Sequence, residues 1–342
     1  MKILCLHPWG TSGFIFEKQL QTLSGILGPT HEYVYINGGV PSARARDLPD
    51  FVKGPYYCWY EGLSSPQCQE AHDTITETIK EEGPFDGVIG FSQGASLALS
   101  FMLHHELHNP GLPCPFRFAL LFCANLVISP DPKFNQDKVV KYSGYYKASR
   151  DGVRPAGEVG EEHNDEDNDE DNDDQYKTET GEGNGTHQTV QTTPATPATP
   201  LAPDASSSKR RAAPKHRALL LLPGRKKALV EELVDLIDEA SHNLSGEADA
   251  SKHSWPEDPK PEDFPRLMHP LTVKARVPIP TVHVIAQNDP LMRHTELAVR
   301  LCDKKKTKLV YFDGPHRIPT APSTLNAIAR AVEWAMQKGQ LM

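Results

Sequence analysis

Two hydrophobic periods alternate along this chain. Short apolar runs rich in branched and aromatic residues occupy residues 2–6, 32–36, 86–91, 116–123, 281–286 and 308–312, the length and composition of buried strands. Between them, residues 16–27, 67–82, 95–106, 292–304 and 323–338 repeat apolar positions at helical spacing. Strands alternating with helices predict an α/β protein with a mainly parallel sheet and helices on both faces. Residues 38–66 interrupt the alternation with Gly, Pro and aromatic residues, and "GPYYCWYEG" sits in the middle of them.

The pattern fails altogether over residues 151–217. An acidic Asn/Asp/Glu tract is followed by Thr-Pro-Ala repeats and then by Lys209-Arg210-Arg211. So few residues here can bury apolar surface that a disordered, low-complexity insertion is expected. Helical amphipathicity returns over residues 225–244 through Leu229, Leu233, Leu236 and Ile237. The expected organisation is one domain over residues 1–342, in which residues 129–265 form a cap and insert region.

Charge sharpens this division. The whole chain carries a formal net charge of −9, and residues 158–182 alone hold about a dozen more acids than bases. The remainder is close to neutral, so neither nucleic acid nor an anionic membrane is an expected partner. No apolar run approaches the roughly 18–20 residues of a membrane helix. The opening "MKILCLHPWG" is too short in apolar residues for a secretory leader. Six cysteines lie scattered without CxxC spacing, which argues against a zinc site and requires no disulfide. Cys5 and Cys123 fall in apolar strand-like runs and read as buried thiols. A cytoplasmic setting is expected.

Candidate chemistry centres on "GVIGFSQGASLALS", residues 87–100. Gly90-x-Ser92-x-Gly94 stands where a strand turns into a helix, the context of a nucleophile elbow. The turn is strained and crowded, so its neighbours must be small, and it aims the first helical amides at the reaction centre. A serine hydroxyl needs a base and the base an orienting acid, in the chain order Ser, Asp or Glu, His. Asp289 follows the strand "TVHVIA" and His316 follows the strand "KLVYF", each at a strand's carboxyl end, where ligands bind in open α/β sheets. Among the rivals, His283 lies within a strand, His7 precedes the serine and could shape its loop, Asp313 serves the turn, and Asp303 sits in a lysine-rich helix end. The oxyanion donors expected are the N–H of Gln93 and one from the loop after the first strand. Trp9 is the choice there; Gly10 and Thr11 remain open, and Pro8 has no N–H.

Taken jointly, "KILCLHPWGTSGFIFEKQL", "GPYYCWYEG", "FDGVIGFSQGASLA", "IPTVHVIAQNDPL" and "GPHRIP" resemble the fungal family of serine hydrolases, the FSH-type α/β-hydrolases. The resemblance covers roughly residues 1–128 and 265–340. It implies a compact α/β-hydrolase fold with Ser92, Asp289 and His316 as the triad, and esterase or thioesterase activity. The long "GPYYCWYEG" form looks more like the branch that accompanies fungal polyketide synthases. Pro8 and Pro315 stand where the family commonly has glycine, and the acidic insertion matches nothing in it.

The resulting expectation is hydrolysis of an ester or acyl thioester through an acyl-enzyme on Ser92, plausible in secondary-metabolite biosynthesis, with no metal or organic cofactor. The substrate is a small acyl compound, and an acyl carrier protein could present it. Tyr56, Tyr57, Trp59 and Tyr60 read equally well as an aromatic pocket wall and as a packed loop covering the sheet edge. A general small-ester carboxylesterase is the alternative within the same class. An interaction protein that uses its acidic insert on a hydrolase-like scaffold is the alternative outside it.

Overall fold

The computed structural model describes residues 1–137, 139–140, 235–237, 239, 260 and 264–341. The expected insertion at 151–217, most of the 129–265 region, and Leu229 and Leu233 lie outside the described residues. Six parallel strands form the main sheet: β1 (Lys2–Leu6), β2 (Glu32–Ile36), β5 (Gly87–Phe91), β6 (Phe118–Phe122), β7 (Thr281–Ala286) and β8 (Thr307–Phe312). Their order is β2-β1-β5-β6-β7-β8. The chain steps outward from β1 to β2, then returns to build the rest of the sheet on the other side of β1. The reversal opens a crevice at the carboxyl ends of β1 and β5, where such sheets bind ligands.

Both faces of the sheet are covered, which explains the continuous apolar strands. On one face Ile3, Cys5, Ile89 and Phe122 pack with α1 (Gly13–Leu27) and with α5 (Pro322–Gln340). On the other face Leu4, Leu6, Val88 and Leu121 pack with α2 (Ser65–Glu82), α3 (Gln93–His108) and α4 (Met292–Val299). Ser12 caps α1 by accepting from the Ile15 N–H at 3.3 Å. Proline stands in the first turn of α2 and of α5, where its missing N–H costs nothing. Six parallel strands with helices on both faces make this an α/β fold, as the alternating pattern predicts.

Two local expectations need correction. The helix expected over 292–304 ends at Val299. The chain beyond it is captured by Val277, whose N–H donates to the Leu301 carbonyl and whose carbonyl accepts from the Asp303 N–H. Asp303 then caps a short 3₁₀ turn, Lys304–Lys306. Within residues 38–66 the backbone forms a two-stranded antiparallel pair, β3 (Val40–Pro41) with β4 (Tyr57–Cys58), too short to show as a period in sequence. Where described, the segment expected as helical over 225–244 is helical at 235–237 and 239. Its Leu236 and Ile237 are buried in the same core as Leu267 and Met268.

Three buried histidines and the half-buried His104 are held as neutral rings. Burial lowers His283 and His72 from 6.5 to about 3, and His7 and His104 to about 4. These folded values lie below the unfolded one, so the stability they represent is fully present above pH 6.5. It is lost as pH falls through 6.5 toward 3. The expected outcome is a urea midpoint that drops steadily between pH 7 and pH 4, with a shallower drop in His283→Leu. A midpoint slope that is the same in His283→Leu and wild type would contradict the assignment for that ring.

Candidate active site

The elbow follows from its glycines. Ser92 has φ 52° and ψ −116°, a left-handed conformation that costs an L-residue roughly 1–3 kcal/mol and survives only where the surroundings enforce it. Three contacts enforce it here. The Ser92 N–H donates to the Phe122 carbonyl at 2.9 Å, tying the turn to β6, and the Ser92 carbonyl accepts from both the N–H and the Oγ of Ser96. A Cβ on Gly90 would stand 2.6 Å from the Ala95 backbone, and one on Gly94 would overlap the Leu6 carbonyl. The expected outcome for Gly94→Ala is a loss of at least about 3 kcal/mol in a denaturant titration; a wild-type midpoint would show that β1 yields at this point.

Along the carboxyl edge of the sheet, successive strands deliver one group each. The loop carrying Trp9 leaves β1, Ser92 ends β5, Cys123 follows β6, Asp289 follows β7 and His316 follows β8. Strands lie about 4.8 Å apart, so β8 is three spacings from β5. His316 reaches back across the ends of β7 and β6, and its Nε2 comes 2.8 Å from the Ser92 Oγ. Its Nδ1 lies 2.6 Å from the Asp289 Oδ2. The carboxylate only accepts, so Nδ1 carries the proton and donates, and Nε2 is left to accept from the serine hydroxyl. The other Asp289 oxygen accepts from the Leu291 N–H at 2.8 Å. The Asp289 side chain is almost fully buried, whereas His316 keeps partial access to solvent. Phe91 stacks on the imidazole at 5.2 Å between ring centroids. The fold thus brings Ser92, His316 and Asp289 into one hydrogen-bonded row.

The loop after β1 is braced from several sides. The Gly38 N–H donates to His7 Nε2, so the His7 Nδ1–H donates to the Pro8 carbonyl at 2.8 Å. The Trp59 Nε1–H donates to the His7 carbonyl at 2.8 Å, with the two rings stacked at 5.1 Å. The Gly10 N–H donates to the Tyr57 carbonyl at 2.9 Å, which removes Gly10 as an oxyanion donor. Among the described residues, the N–H groups of Trp9, Thr11 and Gln93 have no acceptor. The Gln93 side chain accepts from the Trp59 N–H at 3.0 Å and donates to the Tyr60 carbonyl at 2.7 Å. The elbow, the loop after β1 and the aromatic stretch are thereby cross-linked.

Of the four aromatic pocket candidates, Trp59 and Tyr60 are 2% and 4% exposed. Both are packed in the core, with the Trp59 ring against His7, where aromatic rings bury a large area. Tyr56 and Tyr57 are half-buried. The Tyr56 hydroxyl donates to the Val52 carbonyl, and the Tyr57 backbone pairs with the loop after β1. The rivals of the triad lie elsewhere. Asp313 accepts from the Asn288 side chain, and His283 is buried inside β7. Sequence reasoning missed Phe91 and took Cys123 only as a buried thiol. The signal for both was position, one just before the serine and the other at a strand's carboxyl end. Cys123, Asp289 and His316 bring a sulfur, an oxygen and a nitrogen within 4.8 Å of one another, donor types that suit a soft divalent metal. The Asp289–His316 hydrogen bond already engages two of the three residues.

Residues 1–154 match the serine hydrolase (FSH1) family. The chain is a serine hydrolase, and over those residues it is similar to that family. It is 29% identical to the esterase alnB of Emericella nidulans, over 99% of this chain and 98% of that protein. It is 42% identical over 129 residues to the esterase FPY3 of Fusarium mangiferae, a match covering 37% of this chain and 58% of the relative. It is 34% identical over 139 residues to the dihydromonacolin L-(lovastatin nonaketide synthase) thioesterase of Aspergillus terreus, covering 35% and 54%. In these last two the match spans little more than half of the relative's length. The reaction class is cleavage of ester or thioester bonds. Among the described residues, no helix is long and apolar enough to cross a membrane.

Proposed function

We propose that Ser92 is the nucleophile, His316 the general base and Asp289 the residue that orients it. The observation that carries this reading is the bridging imidazole, bonded through Nδ1 to Asp289 and through Nε2 to Ser92. Ser92 Oγ adds to the acyl carbonyl as its proton passes to His316 Nε2. The resulting oxyanion is met by the N–H groups of Gln93 and Trp9, which stand ready without acceptors. Collapse expels the alcohol or thiol, which takes the proton back from His316. Water then attacks the acyl-enzyme with the same base and releases a carboxylic acid. Asp289 keeps the proton on Nδ1 in the resting state and stabilises the imidazolium in both steps. No metal or organic cofactor enters these steps.

The finer substrate belongs to the same proposal. Similarity to a synthase-linked thioesterase supports an acyl thioester presented by a carrier protein in secondary-metabolite biosynthesis. Similarity to the two esterases supports a free oxygen ester as the second reading. Six free cysteines suit a reducing, cytoplasmic setting.

Steady-state kinetics on paired acyl-thioester and oxygen-ester substrates test both levels. Ser92→Ala, His316→Ala and Asp289→Asn are each expected to lower kcat by about a thousandfold or more. Thioester turnover is expected to exceed that of the matching oxygen ester. A variant that keeps wild-type kcat removes that residue from the mechanism, and equal or reversed turnover favours the small-ester reading. A fluorophosphonate probe that fails to label the wild-type protein would favour a non-catalytic interaction scaffold.

A further inference from the structure

We propose that the Cys123 thiol is a positioning residue, donating to the Asp289 carboxylate and holding the acid loop and the base loop together beneath the arch of His316. The inference rests on the triad reading above and adds a fourth side chain to it. Cys123 follows β6, the strand lying between those that deliver Ser92 and Asp289, so the arch that carries His316 back to Ser92 passes over it. The sulfur, an Asp289 oxygen and a His316 nitrogen lie within 4.8 Å of one another.

Three further observations set Cys123 apart from a packing thiol. Its backbone has φ 42°, a left-handed conformation that an L-residue keeps only where the surroundings enforce it, and such residues gather at functional sites. Its N–H donates to the Val284 carbonyl at 2.9 Å, so the strained turn is pinned to β7. The sulfur lies against the amides of Ala286, where β7 ends ahead of Asp289, and Arg317, the residue after His316. One side chain therefore touches both loops that must meet. Desolvation pushes the thiol's pKa up, with the Asp289 carboxylate adding in the same direction, so the group is S–H and has a proton to donate. Cys5 is buried in the same core, but it lies within β1 and its thiol donates to the Ile3 carbonyl at 3.9 Å. The groups around the imidazole are Asp289, Ser92 and Cys123, with Phe91 stacked on the ring and Arg317 next in the chain.

A donor to Asp289 draws some negative charge away from the imidazole, and its loss also lets the carboxylate swing. Cys123→Ala is expected to lower kcat about fivefold, the size of one modest hydrogen bond, with KM within twofold of wild type. The acid limb of kcat/KM is expected to move to higher pH. Cys123→Ser keeps a shorter but stronger donor, and is expected to recover kcat and to leave the acid limb at or below the wild-type position. A side chain that only fills space would leave the limb unmoved in both variants. Should Cys123→Ala fail to fold, Cys123→Ser decides by itself: a limb displaced upward in that variant overturns the proposal. Wild-type kcat and pH profile in Cys123→Ala overturn it as well. Ser92→Ala and His316→Ala measured beside them separate the two readings, because residual activity there would sink the triad and not only the thiol.

Discussion

Ser92 can occupy its left-handed turn only because the backbone of β1 and the first turn of α3 come close enough to exclude side chains at Gly94 and Gly90. That close approach sets the position of everything else at the site. It fixes the depth at which the hydroxyl stands above the sheet, and it brings the start of α3 beside the loop that leaves β1. The strain in the turn is held by ordinary means: one bond to the Phe122 carbonyl, two from Ser96, and the Gln93 side chain bonded to Trp59 and Tyr60.

The parallel sheet then supplies the rest by a constraint of its own. Parallel strands present all their carboxyl ends on one edge, so residues far apart in the chain meet there without long-range folding of individual loops. Ser92 and His316 are 224 residues apart and 2.8 Å apart. Burial decides the division of labour along this edge. The Asp289 side chain is sealed in and finds its partners among protein donors, while the imidazole retains the access that a proton shuttle requires. The same burial makes the histidines inside the sheet and helices neutral and inert, although they share the chemistry of His316.

The fold and the residues that meet as the Ser92–His316–Asp289 row were legible in sequence for physical reasons. Buried parallel strands give continuous apolar runs, and helices on them give a regular period. A strained elbow demands small neighbours at fixed offsets. Asp289 and His316 could be named because each stands immediately after a strong strand pattern. What sequence concealed was direction. "GPYYCWYEG" offers four aromatic rings, and composition does not say which way a ring faces. Trp59 and Tyr60 turn inward; Trp59 braces the loop after β1 and the Tyr60 carbonyl holds the Gln93 side chain, roles that depend on backbone carbonyls no side-chain pattern reveals. That the Gly10 amide is already engaged was hidden for the same reason, since its N–H is bonded to Tyr57 while those of Trp9 and Thr11 are not. Cys123 was visible as a buried thiol, but its significance comes from the loops of β7 and β8 closing over it.

The central claim is that this strained turn makes Ser92 the atom that carries the acyl group. Intact-protein and peptide mass spectrometry after rapid acid quench of the enzyme turning over a slow acyl thioester tests it directly. The account predicts a mass increase equal to one acyl group, located on the peptide containing Ser92 and absent from Ser92→Ala. Acylation of another residue in the wild-type protein, or turnover in Ser92→Ala, would contradict it.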